Sequence, residues 1–114
     1  IKIIMSTSGE ITLDNGCRLP DIKTLQNAMK LSIVEDRPIM MDYWTDSVDK
    51  KNVFIGIREE NGETKKILIK NKDEYTSYID KVYRINKTDY IILTENSLYL
   101  VDANIENKKV SFEP

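Results

Sequence analysis

Apolar and polar positions divide the chain into one stretch with helical spacing and a longer series with strand spacing. In the first, Ile22, Leu25, Ala28, Met29, Ser32 and Ile33 recur at intervals of three and four, which lines them along one helix face. Pro20-Asp21 opens this stretch with Asp21 as the N-cap, and Pro38 moves Arg37 out of the α region. The spacing therefore predicts one helix near residues 21–35. Met29, Leu31 and Ile33 also alternate as in a strand; the helical reading is preferred.

Elsewhere the period is close to two. Residues 1–18 read as an N-terminal hairpin: Ile1–Met5 and Glu10–Leu13 are apolar runs separated by Ser8-Gly9, and Asp14-Asn15-Gly16 is a turn signal because Asn and Gly tolerate positive φ. Strands are predicted over Ile39–Trp44, Asn52–Glu59, Thr64–Lys70, Ser77–Ile85, Tyr90–Glu95 and Leu98–Asp102, with Lys109–Phe112 as a final edge. Glu60-Asn61-Gly62-Glu63, Asn86–Asp89 and Asn96-Ser97 supply turns. Consecutive strands joined this closely are antiparallel neighbours, so residues 38–112 read as an antiparallel meander.

Tyr90-Ile91-Ile92-Leu93 and Leu98-Tyr99-Leu100-Val101 are apolar on both faces, where a sheet with one wet face would alternate. One helix cannot cover both sides of such a sheet. Either the sheet curls on itself or another chain covers one face. The expected fold is α+β: a mostly antiparallel curled sheet, or small partly open barrel, of about five to seven strands with one helix. A length of 114 residues makes this a single domain, 1–114.

Composition removes several classes of function. With 17 basic against 19 acidic residues the net charge is -2, which gives no global pull toward nucleic acid or an anionic membrane. The chain has no His, which removes His-based acid–base catalysis, Ser-His-Asp and Cys-His arrangements, and the ordinary zinc site. The single Cys17 forms no intrachain disulfide and fits a reducing compartment. No secretory signal and no apolar run near the roughly 18 residues of a membrane span is seen, so an intracellular, non-secreted protein without membrane contact is expected.

The densest recognition chemistry lies in Pro38–Asp46, which holds the only Trp and two of the four Met. On a strand, Ile39, Met41 and Tyr43 face one way, and Met40, Asp42, Trp44 and Asp46 the other. Two carboxylates beside a Trp suit a partner-binding surface formed by Asp42, Tyr43, Trp44 and Asp46. The plainer reading has Trp44 plugging the sheet end while both Asp cap a turn. Asp42, Asp46 and Asp49 also contain oxygen ligands, but without the Gly and closing Glu of an EF-hand; no metal or cofactor is expected. Asp42 and Asp46 would sit about 13 Å apart on a strand, too far to flank one scissile bond. Cys17 has no His to activate it, and no phosphate loop or nucleophile elbow is present, so no enzymatic activity and no small-molecule substrate are expected.

The alternative surface is a single-stranded nucleic-acid or RNA platform using Lys65, Lys66, Lys70, Lys72, Tyr75 and Tyr78. Against it, Glu59, Glu60, Glu63, Asp73, Glu74 and Asp80 interleave the same region, whereas a phosphate-tracking groove needs one sign of charge.

Three stretches, Pro38–Asp46 (PIMMDYWTD), Glu74–Ile79 (EYTSYI) and Thr94–Tyr99 (TENSLY), resemble a family of small proteins from nucleocytoplasmic large DNA viruses, the giant viruses of protists. The likeness covers roughly Asp21 to Ile105 and leaves out the N-terminal hairpin. It implies a viral origin and a place in the cytoplasmic factory or the virion, and carries over no activity, cofactor or catalytic residue. Together these readings favour a non-enzymatic interaction or structural module, partnered by another protein chain or by its own copies.

Overall fold

The structure, a computed structural model, describes residues 3–5, 11–13, 17–50 and 52–111. A two-stranded antiparallel ladder joins β1 (Ile3–Met5) to β2 (Ile11–Leu13). The helix α1 (Ile22–Glu35) follows, then β3 (Ile39–Met40) and a π-helical segment, Asp46–Lys50. A continuous meander comes next: β4 (Phe54–Glu60), β5 (Glu63–Asn71), β6 (Glu74–Arg84), β7 (Asp89–Thr94) and β8 (Leu98–Asp102). β9 (Glu106–Lys109) ends the fold.

The seven-stranded sheet has the order β3-β8-β7-β6-β5-β4-β9. The meander is antiparallel throughout, as short turns require. Asn61 (φ 52) and Gly62 (φ 80) form the two-residue turn between β4 and β5, where both positions need the left-handed region. The two edges depart from the predicted all-antiparallel pattern. β3 runs parallel to β8, and β9 parallel to β4.

The sheet does not close; its curl buries the second apolar face. Ile91, Leu93, Leu98 and Leu100 pack with Ala28 of α1 and Trp44 on one side. Ile92 and Val101, facing the other way along the same strands, pack with Val53, Ile55 and Leu68. β4 and β5 are not neighbours of β7 and β8 in the sheet, so this second cluster forms only because the sheet folds over itself at β6. β6 makes this possible by splitting its partners. Its first half pairs with β5 as far as Ile67↔Tyr78, and its second half pairs with β7 from Ile79↔Thr94, with a register shift before Lys81.

The roll of α1 differs from the one predicted. Of the predicted core face Ala28 is buried, but Ile22, Leu25, Met29 and Ile33 are exposed, while Thr24 is buried and Leu31 packs on the core. A polar network sets this orientation. Asp89, at the start of β7, is fully buried. Its Oδ2 accepts from Thr24 Oγ1 (2.8 Å) and the Asp21 N–H (3.0 Å), and its Oδ1 from Arg18 Nη1 (2.7 Å). Asp21 caps the helix by accepting from the Thr24 N–H at 2.8 Å and also accepts from Asn86 Nδ2. Turning α1 to bury Met29 would withdraw the Thr24 hydroxyl from a buried carboxylate.

Burial alone would raise the Asp89 carboxyl, but hydrogen bonds from Arg18, Asp21 and Thr24 and the Arg18 charge outweigh it and hold the group below its ordinary value. A carboxyl depressed in the folded state adds stability above the unfolded value, near pH 4, and loses it as pH falls through the folded value. Asp89→Asn is expected to cost about 3 kcal/mol at neutral pH, since it takes from the partly buried Arg18 guanidinium its closest charge partner and leaves a fully buried amide in a site built for a carboxylate. It is also expected to flatten the acid limb of the stability curve. Urea denaturation between about pH 3 and 7 checks both effects.

Candidate functional site

The predicted strand Ile39–Trp44 stops at Met40. Asp42 and Tyr43 turn the chain into a short helical segment that continues as Asp46–Lys50. Alternation therefore fails at the residues where the predicted surface depended on it. Trp44 is 2% exposed and Tyr43 is 4% exposed, and they enter different clusters: Trp44 packs on the α1 side of the sheet and Tyr43 inside the curl. Trp44 Nε1 donates to the Arg18 carbonyl at 2.8 Å, and the Arg18 guanidinium carbon lies 4.8 Å from the ring centroid. The expectation that Tyr43 and Trp44 form a partner-binding surface is thus corrected, because both are internal to their own chain. Asp42 is exposed, while Asp46 is partly buried.

Arg18 ties this segment to the helix anchor. Beyond Asp89, its Nη2 donates to Thr88 O (2.9 Å) and Asp102 Oδ2 (3.3 Å). Ser47 Oγ accepts from the Asp102 N–H at 2.9 Å and donates to Trp44 O at 2.7 Å. Asp102 and Ser47 also line a cleft of about 520 Å³ with Phe54 and Lys108. Among the described lining residues Asp102 is engaged by Arg18, and Lys108 pairs with Glu106 at 3.2 Å. No group of three or more acidic or Cys side chains that could hold a metal occurs among the described residues.

The expected Lys/Tyr platform divides into separate places. Lys70 Nζ donates to Asp42 O (3.1 Å), lies 4.0 Å from Asp46 and 3.6 Å from Glu74, and sits 5.5 Å from the Tyr43 ring centroid. It therefore clamps the 42–46 segment. Lys65 pairs with Glu63 at 3.1 Å and covers the Tyr78 ring at 5.6 Å, while the Tyr78 hydroxyl donates to Glu60 at 2.8 Å. Lys66, Lys72 and Tyr75 are exposed. Neither Tyr43 nor Tyr78 offers an open ring face beside an unopposed cation, which stacking on single strands uses.

The residues that sequence reasoning misplaced form an exposed apolar stripe on α1. Ile22, Leu25, Met29 and Ile33 are 53%, 39%, 55% and 75% exposed and follow one another along α1. Lys23, Gln26 and Lys30 border this stripe on one side, each one residue beyond a stripe residue. The signal that would have found it is the second helical series, Thr24, Ala28 and Leu31, at intervals of four and three. Its competitor had more apolar residues, and hydrophobic patterning ignores the hydroxyl that Asp89 needs.

Comparison of the chain with protein-family models, with curated proteins and with solved structures finds no match.

Two measurements test the internal placement of Tyr43 and Trp44. Trp44→Ala is expected to cost about 3–5 kcal/mol in chemical denaturation, as for other large core truncations; a loss below about 1 kcal/mol would return the ring to the surface. Burial, with Tyr99, Asp42 and Glu74 nearby, pushes the Tyr43 phenol well above its ordinary value. A group raised in this way adds stability below its unfolded value, near pH 10, and loses it as pH climbs toward the folded value. Tyr43→Phe should therefore weaken the alkaline decline in stability, read by denaturation between about pH 9 and 12.

Proposed function

We propose that this domain is a non-enzymatic interaction module that docks an amphipathic helix of another protein chain on the exposed stripe of α1. The observation that supports this reading is the stripe itself, four large apolar side chains left in solvent on a helix whose roll is fixed elsewhere. A rigid, preorganised apolar face loses little conformational entropy on binding. From Ile22 to Val34 the helix carries Lys23 and Lys30 and no acid. In an antiparallel pair with a second copy, the two lysine flanks would meet each other; a partner helix with Glu or Asp on that flank answers them. Asp21 and Asp36 at the two ends of the helix are exposed and disfavour an anionic bilayer. No helix among the described residues is long and apolar enough to cross a membrane. The likeness of Pro38–Asp46, Glu74–Ile79 and Thr94–Tyr99 to proteins of large DNA viruses supports a setting in a viral factory or virion.

The test is titration with a designed 18-residue peptide (about 27 Å of helix) carrying a Leu stripe and Glu flanks. Micromolar binding is expected, with at least a tenfold loss for the same peptide bearing Lys flanks or for the Met29→Glu/Ile33→Glu variant. Stability of that variant should stay within about 0.5 kcal/mol of the parent, since both positions are exposed. Equal binding of the two peptides, or none, overturns the reading. A dimer in light scattering that the double substitution dissolves would replace the partner helix with a second copy.

A further inference from the structure

We infer that the gap between β5 and β6 is a second, separate docking site, one that accepts an extended peptide segment carrying acidic side chains. The two strands pair only from Ile67 to Asn71 on β5. Beyond Ile67↔Tyr78 they part, and β6 continues beside β7 with a register shift before Lys81. Among the described residues, Glu63–Lys66 then keep only β4 as a ladder partner, and Lys81–Arg84 only β7. Two strand edges thus flank one opening of about 770 Å³ lined by Lys65, Lys66, Tyr78, Lys81, Val82 and Glu95.

An edge of this kind is a template for main-chain hydrogen bonds from an added strand. In β5 the direction of the free groups follows from the hairpin. Glu60 and Glu63 flank the two-residue turn and bond each other, so every second residue from Thr64 onward directs its N–H and C=O away from β4. The Leu68 N–H confirms this phase, donating across to Thr76 Oγ1 at 3.1 Å. Thr64 therefore presents its N–H and C=O to the gap, and Lys66, next to the last pair Ile67↔Tyr78, its N–H.

Charge selects the side chains of the added strand. Lys65, Lys66 and Lys81 line the opening against Asp80 and Glu95; Asp80 is held by Arg37 and Lys65 by Glu63, each at 3.1 Å, which leaves Lys66 and Lys81 facing Glu95. The balance of the opening is positive. The half-exposed Val82 offers an apolar contact to alternate residues of an extended segment. A single-stranded nucleic acid would use the same lysines, but the Tyr78 ring is already covered by Lys65 and its hydroxyl is committed to Glu60. A peptide uses what the gap leaves open, the strand edges.

The probe is a capped hexapeptide of alternating Glu and Val, titrated into the full chain and followed by calorimetry and by amide hydrogen exchange. Saturable binding is expected, with slowed exchange at Thr64 and Lys66. N-methylation of the peptide's alternate amides should weaken binding at least tenfold, because it removes the donors an added strand needs. Lys66→Glu/Lys81→Glu should weaken it to a similar degree, whereas Met29→Glu/Ile33→Glu should leave it unchanged, which separates this site from the α1 stripe. The inference is overturned by absence of saturable binding, by equal binding of the N-methylated peptide, or by protection confined to other strands. Tighter binding of a fluorescein-labelled oligo(dT) at the same lysines would assign the gap to nucleic acid instead.

Discussion

The buried carboxylate of Asp89 is the constraint around which this fold is arranged. It lies at the start of β7, in the interior of the sheet, and is reached by Arg18 from the chain before α1 and by two groups in the first turn of the helix. An unpaired carboxylate at full burial costs several kcal/mol, so each donor must be held in place. A roll or slide of the helix would withdraw the Thr24 hydroxyl and the Asp21 N–H from the Asp89 Oδ2. Arg18 carries the constraint onward: its side chain covers Trp44, and its carbonyl receives the indole N–H. Helix, tryptophan plug and β7 are thus one unit, built from polar contacts that hydrophobic area alone would not specify.

The second organising feature is the shared strand. β6 is the longest strand in the sheet, and its halves serve different neighbours. By folding the sheet at this strand, the chain covers the inner face of β7 and β8 with its own β4 and β5. The two-sided apolar strands are therefore satisfied within one chain. The cost of the fold is local: at the crease, neighbouring strands part before their ends, leaving main-chain groups and lysines around an opening.

Much of the architecture was legible in the sequence. The α+β class, the main helix with its Asp21 cap, and the meander through Leu98–Asp102 follow from periodicity and turn chemistry. The doubly apolar runs at 90–93 and 98–101 called for either a curl or a covering chain, and the sheet curls. What was not legible depended on long-range polar contacts. Thr24 looks like an ordinary helix residue until Asp89 is placed beside it. Trp44 looks like a surface anchor if Ile39–Trp44 is a strand, and a core plug once the chain turns at Asp42. The parallel edge pairings of β3 and β9 were likewise hidden, because short terminal strands pair wherever the preceding connection delivers them. The lysine and tyrosine set was read as one platform. Lys70 belongs with the 42–46 segment and Lys65 with Tyr78, a separation set by strand register and carried by no local motif.

The Asp89 anchor also bears on the order in which the protein folds. Arg18 and Asp89 are separated by 71 positions, and Thr24 and Asp89 by 65. Those loops close late, since the chain entropy lost in closing them must be recovered by contacts already made. The hairpins of the meander are local and have no such debt. During synthesis, α1 leaves the ribosome well before its counter-charge exists, with an apolar stripe on one side and an unfilled polar cap on the other. Until β7 is laid down, nothing in the chain specifies which side of that helix is the inside.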